Sequence, residues 1–485
     1  MQAETMKSRY YLTSILEAAI FLLSLVTDWY SPLVITLMVI VLLSMLNRLG
    51  KGIVLREIIA LHICFVCLVA PLLGYDIFNQ NNRLARMFIK YMLVPQPEYY
   101  GFALPAVSGF ITAICWPIGT RKYDDKGKFI HQLIDRAKAI LEQQKKAPLY
   151  LLIIGTITFF FSAYLPVAVR FAFELLFFAS FAGFLYVYYQ QRSRYRSVVL
   201  TVFTIVIVAA AVTSGIFTIV AYMSLTLFSF FFLGRRASLF KKILVLLFGV
   251  LVLLIIQSVK PTYRIMTWGK SYAGNKAALF GDLVVEKLSN PNLISAEAFF
   301  PIYERINQGY NVTLVMRRFP QVVPFDMGSN LLRNLASALV PRFLWPDKPN
   351  AGGKYNMAYY AGFYINGWST NVGPLGEAYG SFGVTGGIIY MILLGAFIRW
   401  AYKLVFKLAN KMPLLIFWIP VLFYEATYAA ETDTLQIMNS LIKAAFFVWL
   451  LYKLFPTLFG EERKNTRRRV RTALPYTTGP ARFEP

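Results

Sequence analysis

Long apolar blocks alternate with short polar ones along this chain. Most blocks are about as long as a helix that crosses ~30 Å of hydrocarbon. About twelve are legible, over 10–28, 32–46, 52–74, 101–118, 148–166, 171–190, 198–214, 216–234, 243–259, 381–398, 413–430 and 438–455. The second is short, and only the Ser214-Gly215 turn signal separates the seventh from the eighth. The pattern predicts an all-α polytopic membrane protein. An even number of spans puts both termini on one side. Each short connection that would then face the cytoplasm is basic, QRSRYRS and GRRASLFKK among them, so both termini are expected to be cytoplasmic. The start MQAETMKSRY leads into its apolar stretch without a small-residue cleavage site and reads as the flank of a first span.

Four regions follow. Residues 1–259 form a transmembrane bundle of spans one to nine, interrupted by a cytoplasmic amphipathic segment at 119–147. Residues 260–380 form one long extracytoplasmic loop, 381–455 carry spans ten to twelve, and 456–485 are a basic cytoplasmic tail whose RKNTRRRVRT suits anionic lipid. In 129–141 and in 84–92 the apolar residues share one helical face between charged neighbours, as in helices lying at a membrane interface. The loop is rich in aromatic and aliphatic residues, and a connection of about 120 residues marks function rather than mere linkage. Short helices are expected at 272–289, 295–307 and 328–339.

Composition narrows the class. With 57% apolar, 16% aromatic and only 15% charged residues, a soluble enzyme, a secreted disulfide scaffold and a disordered chain are excluded. The net charge of +25 would suggest nucleic acid on a soluble protein. Basic cytoplasmic loops account for it here, so no nucleic-acid partner is expected. Cys64, Cys67 and Cys115 lie in apolar segments, which argues against a redox role for the C-x-x-C. No zinc-ligand or phosphate-loop motif appears, so neither metal nor cofactor is expected. Asn311-Val312-Thr313 fits a glycosylation sequon, a match frequent by chance.

The chemistry concentrates in the loop. The segment from Arg317 supplies Arg317, Arg318, Arg333, Arg342, Lys348 and Lys354, with Asp326 and Asp347 among them. Such a cluster invites an anionic lipid headgroup or a sugar pyrophosphate, because the arginine fork matches phosphate bidentately; for any single member, solvated or headgroup-facing charge is the commoner explanation. Downstream, Thr370 and Asn371 offer hydrogen bonds to hydroxyls, and Gly373, Gly376 and Gly380 allow close backbone approach. Glu377 stands at the mouth of span ten, as a base, a sugar-binding carboxylate or the partner of a loop arginine. Elsewhere, Arg56, Glu57, His62, Glu425 and Lys443 fall within spans. Glu17 and Glu174 read as paired groups inside the bundle, and His131 as a surface residue. Glu431 and Asp433 are expected to face outward, at the outer end of span eleven.

PRFLWPDKP (341–349), Gly352-Gly353, Thr370-Asn371-Val372-Gly373 and GEAYGSFG together resemble the O-antigen and oligosaccharide repeat-unit polymerases of the Wzy type. The likeness in architecture spans the chain, while the motif match is confined to about 340–390. It implies a GT-C-like membrane glycosyltransferase in the bacterial cytoplasmic (inner) membrane. Such an enzyme polymerises undecaprenyl-pyrophosphate-linked oligosaccharide into O-antigen, capsule or exopolysaccharide, without nucleotide sugar or essential metal. Carried onto this chain, Arg317, Arg318, Arg342 and Lys348 would hold the pyrophosphate. Asp347 or Glu377 would be the catalytic base, and Trp345, Thr370 and Asn371 would hold sugar. Partners implied are the lipid-linked donor and acceptor, membrane lipids, a chain-length regulator and a flippase. Ligases related to this family place a histidine in the long loop; this loop has none, which favours a polymerase. The competing classes are a transporter or flippase of lipid-linked sugars, and an accessory subunit of a polysaccharide synthase.

Overall fold

A computed structural model describes residues 2–119, 124, 127–144, 146–162, 167–191, 194–215, 217–235, 237–268, 272–289, 295–340, 344–347, 352–365 and 370–461. Helix is the only extended secondary structure among them. Six helices are long and apolar enough to cross a membrane: Tyr30–Arg48, Leu55–Asp76, Tyr195–Ser214, Leu239–Trp268, Gly373–Ala409 and Thr434–Leu454. Shorter apolar helices occupy Tyr11–Ser24, Ala147–Phe161, Phe173–Tyr189, Met223–Phe232 and Pro413–Leu422. Large apolar side chains such as Leu43, Leu247, Phe248 and Leu251 are exposed along the long helices, where hydrocarbon rather than water would solvate them.

The core is built on Gly373–Ala409, which lies along Gln96–Cys115. Small residues let the two backbones approach: a Cβ on Gly395 would stand 2.6 Å from the Phe110 carbonyl oxygen, and one on Gly387 would stand 2.8 Å from the Phe102 ring. Arg56, wholly buried, donates from Nη1 to the carbonyls of Ile114 and Trp116 at 2.9 and 2.8 Å and stacks on Tyr402. These carbonyls close the C-terminal end of Gln96–Cys115, which has no intrahelical donors left for them. Arg56→Ala is therefore expected to cost about 1–3 kcal/mol, read as a lower thermal midpoint in detergent, with Arg56→Lys recovering part of it.

Several expectations change in three dimensions. The eleventh span is not one helix: 413–430 breaks into a 3-10 turn, Pro413–Trp418, and two four-residue helices, Ile419–Leu422 and Tyr424–Thr427. Pro413 and Pro420 each remove a backbone donor. The third is continuous but carries a π-bulge at Phe65–Val69, and the tenth is bent where Gly383 leaves helical geometry at φ 65°. The amphipathic helix over 84–92 stops at Met87, because Ile89 adopts a positive φ. The segment at 129–141 is a helix, Gly127–Gln143, but its apolar face (Ile130, Leu133, Ile134, Ala137, Leu141) packs on protein rather than on open membrane. Glu17 is buried, with one carboxylate oxygen free of hydrogen bonds to described residues, and Glu174 is exposed rather than inside the bundle. His131 is exposed, and all three cysteines are buried. Residues 462–485, most of the basic tail, lie outside the described residues.

In the loop, the three expected helices form as Lys276–Leu288, Ala296–Ile306 and Ser329–Leu339. Asn275 caps the first, its side chain accepting from the Ala277 and Ala278 amides. A fourth, Gln308–Arg318, and a short helical stretch over 353–361 were not expected. Gln308–Arg318 packs between Gly373–Ala409 and the 65–76 end of the third span, and this insertion positions the site.

Candidate functional site

Two carboxylates are buried side by side in one hydrogen-bond set where the loop meets Gly373–Ala409 and Thr434–Leu454. Glu377, 1% exposed, lies in the first turns of Gly373–Ala409. Its Oε1 accepts from Asn356 Nδ2 at 2.9 Å. Its Oε2 accepts from the Thr434 amide at 2.9 Å and the Thr434 hydroxyl at 2.6 Å. Asp433, fully buried, is the N-cap of Thr434–Leu454 and accepts from the Gln436 amide at 2.6 Å through Oδ1. Its Oδ2 accepts from the Gly352 amide at 3.1 Å and from Asn371 Nδ2 at 3.0 Å. All these donors are neutral. Burial pushes the Asp433 carboxyl above its ordinary range, opposed by the bonds from Gln436, Asn371 and Gly352.

Asn371 ties the set to the loop. Its Oδ1 accepts from Asn356 Nδ2 at 3.3 Å, and its backbone carbonyl accepts from Gln308 Nε2 at 2.6 Å and Asn311 Nδ2 at 2.9 Å. Asn311 Nδ2 also reaches the Thr370 hydroxyl at 3.0 Å. This amide is buried and engaged, so the sequon at 311–313 is not presented as a glycan acceptor. A second layer lies beyond: Tyr360 OH meets Ser381 Oγ at 3.2 Å and accepts from Asn330 Nδ2 at 3.1 Å. Tyr355 donates to Asn330 Oδ1 at 2.7 Å, and Tyr359 to Asp326 Oδ2 at 3.2 Å. The tyrosine rings at 355 and 359 stack with centroids 5.9 Å apart.

The expected site residues separate into groups. Glu377, Thr370 and Asn371 are brought together, although Thr370 and Asn371 bond protein groups rather than standing open. Asp347 is exposed and Trp345 half-buried on the turn at 344–347, and neither belongs to this hydrogen-bonded set. Arg317 is exposed at the end of Gln308–Arg318. Arg318 is half-buried beside Gly362, its Nε buried without a hydrogen bond. Arg342 and Lys348 lie outside the described residues. Glu431 pairs with Arg305 and with His62 Nε2, the latter at 3.2 Å. Among the described residues no group of three or more His, Cys, Asp or Glu side chains is gathered for a metal.

Gln308, Asn356 and Asn330 carry no mark in the sequence, and Asn311 stands out there only as part of a sequon. Their signal was faint: Gln308 and Asn311 are three apart, on the same helical face as buried Val312 and Val315, a polar pair on an apolar stripe. Asp433-Thr434 before an apolar run is a clearer cap signature. Gly353 is demanded by the site, since a Cβ there would collide with the Thr370 carbonyl oxygen. Gly353→Ala is expected to displace 370–373, costing about 1–3 kcal/mol, and to show as a lower thermal midpoint together with impaired function.

A family model described as a domain of unknown function, DUF8712, matches residues 72–408, well over half of the chain, so the chain belongs to that family. The match takes in the loop, Asn371 and Glu377 and ends before Asp433. Searches of curated proteins and of solved structures gave no match.

Proposed function

We propose that this member of the DUF8712 family is a membrane glycosyltransferase of the repeat-unit polymerase type, working on undecaprenyl-pyrophosphate-linked oligosaccharide. The observation that carries the reading is the buried carboxylate set of Glu377 and Asp433. Gly352, Asn371 and the Glu377 of GEAYGSFG come from the motifs that resemble the polymerases, and Asp433 joins them from outside those motifs. In this reading about twelve membrane segments, several short or broken, form a GT-C-like layout in the bacterial inner membrane. Both termini are cytoplasmic and the loop faces out.

Glu377 is the general base. It takes the proton from an acceptor hydroxyl as that oxygen attacks the anomeric carbon of the donor. The bond from that carbon to the lipid pyrophosphate breaks, and the pyrophosphate leaves with the bonding pair. Asp433 positions Asn371, and through Thr434 it sets the donors that orient Glu377. Arg317, Arg318, Arg342 and Lys348 are carried over as holders of the leaving pyrophosphate. Asp347, exposed on its turn, is the weaker candidate for base. Trp345 and the Tyr355–Tyr359 pair offer ring faces to sugar.

The test is incubation of purified protein with a lipid-pyrophosphate-linked repeat unit and no nucleotide sugar, with products resolved on a gel. A ladder of lengths supports the polymerase. A second reading, a transporter or flippase of lipid-linked sugar, is favoured by the broken helices at 65–69, 383 and 413–427 and by buried charge in the third span. Absence of a ladder with the native repeat, together with substrate movement across liposomes, would establish that second reading instead.

A further inference from the structure

Arg305 and His62 converge on the carboxylate of Glu431, two residues before Asp433, with Lys260 and Arg264 on the neighbouring helix. Arg305, in the last turn of Ala296–Ile306, pairs with Glu431, and His62 Nε2 approaches the other oxygen of that carboxylate. Lys260 and Arg264 are one turn apart on Leu239–Trp268, which packs on Ala296–Ile306. Lys260 is half-buried and lies within electrostatic reach of Arg264, Arg305 and Glu431. It makes no hydrogen bond or ion pair to a described residue. Arg264 is held in place: its Nε and Nη2 donate to the Gly215 carbonyl at 3.0 and 2.8 Å, and its guanidinium lies 4.3 Å from the Trp268 ring centroid. Gly215 sits in the turn that ends Arg194–Ser214, so the fold spends a helix terminus on fixing this side chain.

Lys260 and Arg264 are half-buried and form no ion pair with a described residue, a setting in which unmatched charge is costly, while Arg305 is exposed and pairs with Glu431. A phosphate answers both the charge and the unused donors. The helix that carries Lys260 and Arg264 is also the most outward-facing of the long ones, with only 6% of its apolar window buried. Its flank is open to a hydrocarbon chain that would run down from a headgroup at Lys260.

We propose that Lys260, Arg264 and Arg305 bind the phosphate or pyrophosphate headgroup of a lipid, and that Glu431 occupies the site as an internal counter-anion which the headgroup displaces. His62 then retains Glu431. Binding here requires no turnover, so it can be tested apart from the glycosyl-transfer reading.

The full-length protein would be placed in phosphatidylcholine nanodiscs and titrated with undecaprenyl pyrophosphate, with phosphatidylglycerol and with inorganic pyrophosphate. Lys260→Gln and Arg305→Gln are each expected to weaken binding of undecaprenyl pyrophosphate about tenfold, and Lys260→Arg to restore most of it. Glu431→Gln is expected to tighten binding severalfold, an effect of opposite sign that misfolding cannot imitate. Competition by inorganic pyrophosphate supports recognition of the headgroup itself. Equal binding of phosphatidylglycerol supports the site with phospholipid as its source. Wild-type affinity in both Gln variants, or weaker binding in Glu431→Gln, would overturn the proposal. A ladder in the polymerisation assay with unchanged lipid binding in the variants would remove this site and leave the polymerase standing. Binding without a ladder would do the reverse.

Discussion

Glu377→Gln is expected to lower ladder formation by about 10²–10⁴-fold while the protein still folds. The substitution keeps the shape and removes the proton acceptor. Thr434 would still donate its amide and hydroxyl to the remaining oxygen. The new amide nitrogen would face Asn356 Nδ2, donor against donor, unless the Asn356 side chain turns over, and it is also bonded to Asn371. A stability loss of about 1 kcal/mol is the expected price. Glu377→Asp, one methylene shorter, should keep some turnover if the carboxylate is a base. Product length distributions and thermal midpoints measured side by side check this. A Gln variant with wild-type ladders would remove Glu377 from the chemistry and return the base to Asp347 or to no carboxylate in this region.

Asp433→Ala is expected to have the largest effect on stability. It removes the cap of Thr434–Leu454, worth about 0.5–2 kcal/mol, and leaves the Gly352 amide and Asn371 Nδ2 without their acceptor in a buried setting, worth about 1–3 kcal/mol more. Asp433→Asn should lose less, since one oxygen can still cap the helix. The pH dependence separates the two roles. Burial raises the Asp433 carboxyl in the folded protein above its ordinary 3.8, so between those values the native chain holds a proton that the unfolded chain has released. This contribution to stability is therefore greatest below the ordinary aspartate value, declines as pH rises toward the raised native value, and is constant above it. In Asp433→Asn that decline should be absent. Denaturant midpoints across the acid range would show it, and an identical slope in wild type and variant would contradict the assignment.

In the proposed polymerase reading, donor and acceptor each carry a lipid pyrophosphate, and the loop arginines and the Lys260, Arg264 and Arg305 group would be two separate sets of cations for them. Substitution in one set with binding measured at the other would show whether they act separately.

Much was legible in one dimension because apolar length and charge asymmetry are local properties. A helix in hydrocarbon must satisfy its backbone within itself, so its sequence declares it. Leu239–Trp268, Tyr30–Arg48 and Thr434–Leu454 were anticipated, as were three of the loop helices. The span at 413–430 was misjudged for the same reason: its apolar run satisfied the length rule, while its prolines and its protein-lined surroundings permit an irregular backbone. Gln308–Arg318 escaped notice because its buried face mixes Gln308 and Asn311 with valines, so no clean stripe appears.

The carboxylate at 377 could be singled out from its place at the mouth of a span. Asn371 and Asp433 could be singled out one by one, but not as its companions, and Asn356 could not. Asn371 lies 15 residues after Asn356 and 62 before Asp433, and only the packing of Gln308–Arg318 against Gly373–Ala409 and the cap of Thr434–Leu454 bring it within 3.3 Å of the one and 3.0 Å of the other. The sequence by itself determined a helical chain with membrane-crossing segments and one long loop between them, because hydrophobic length and the sign of charge act residue by residue. Which carboxylates share a site, and which cations face Glu431, was decided by the tertiary structure alone, because hydrogen bonds and buried charges depend on distances that the chain acquires only on folding.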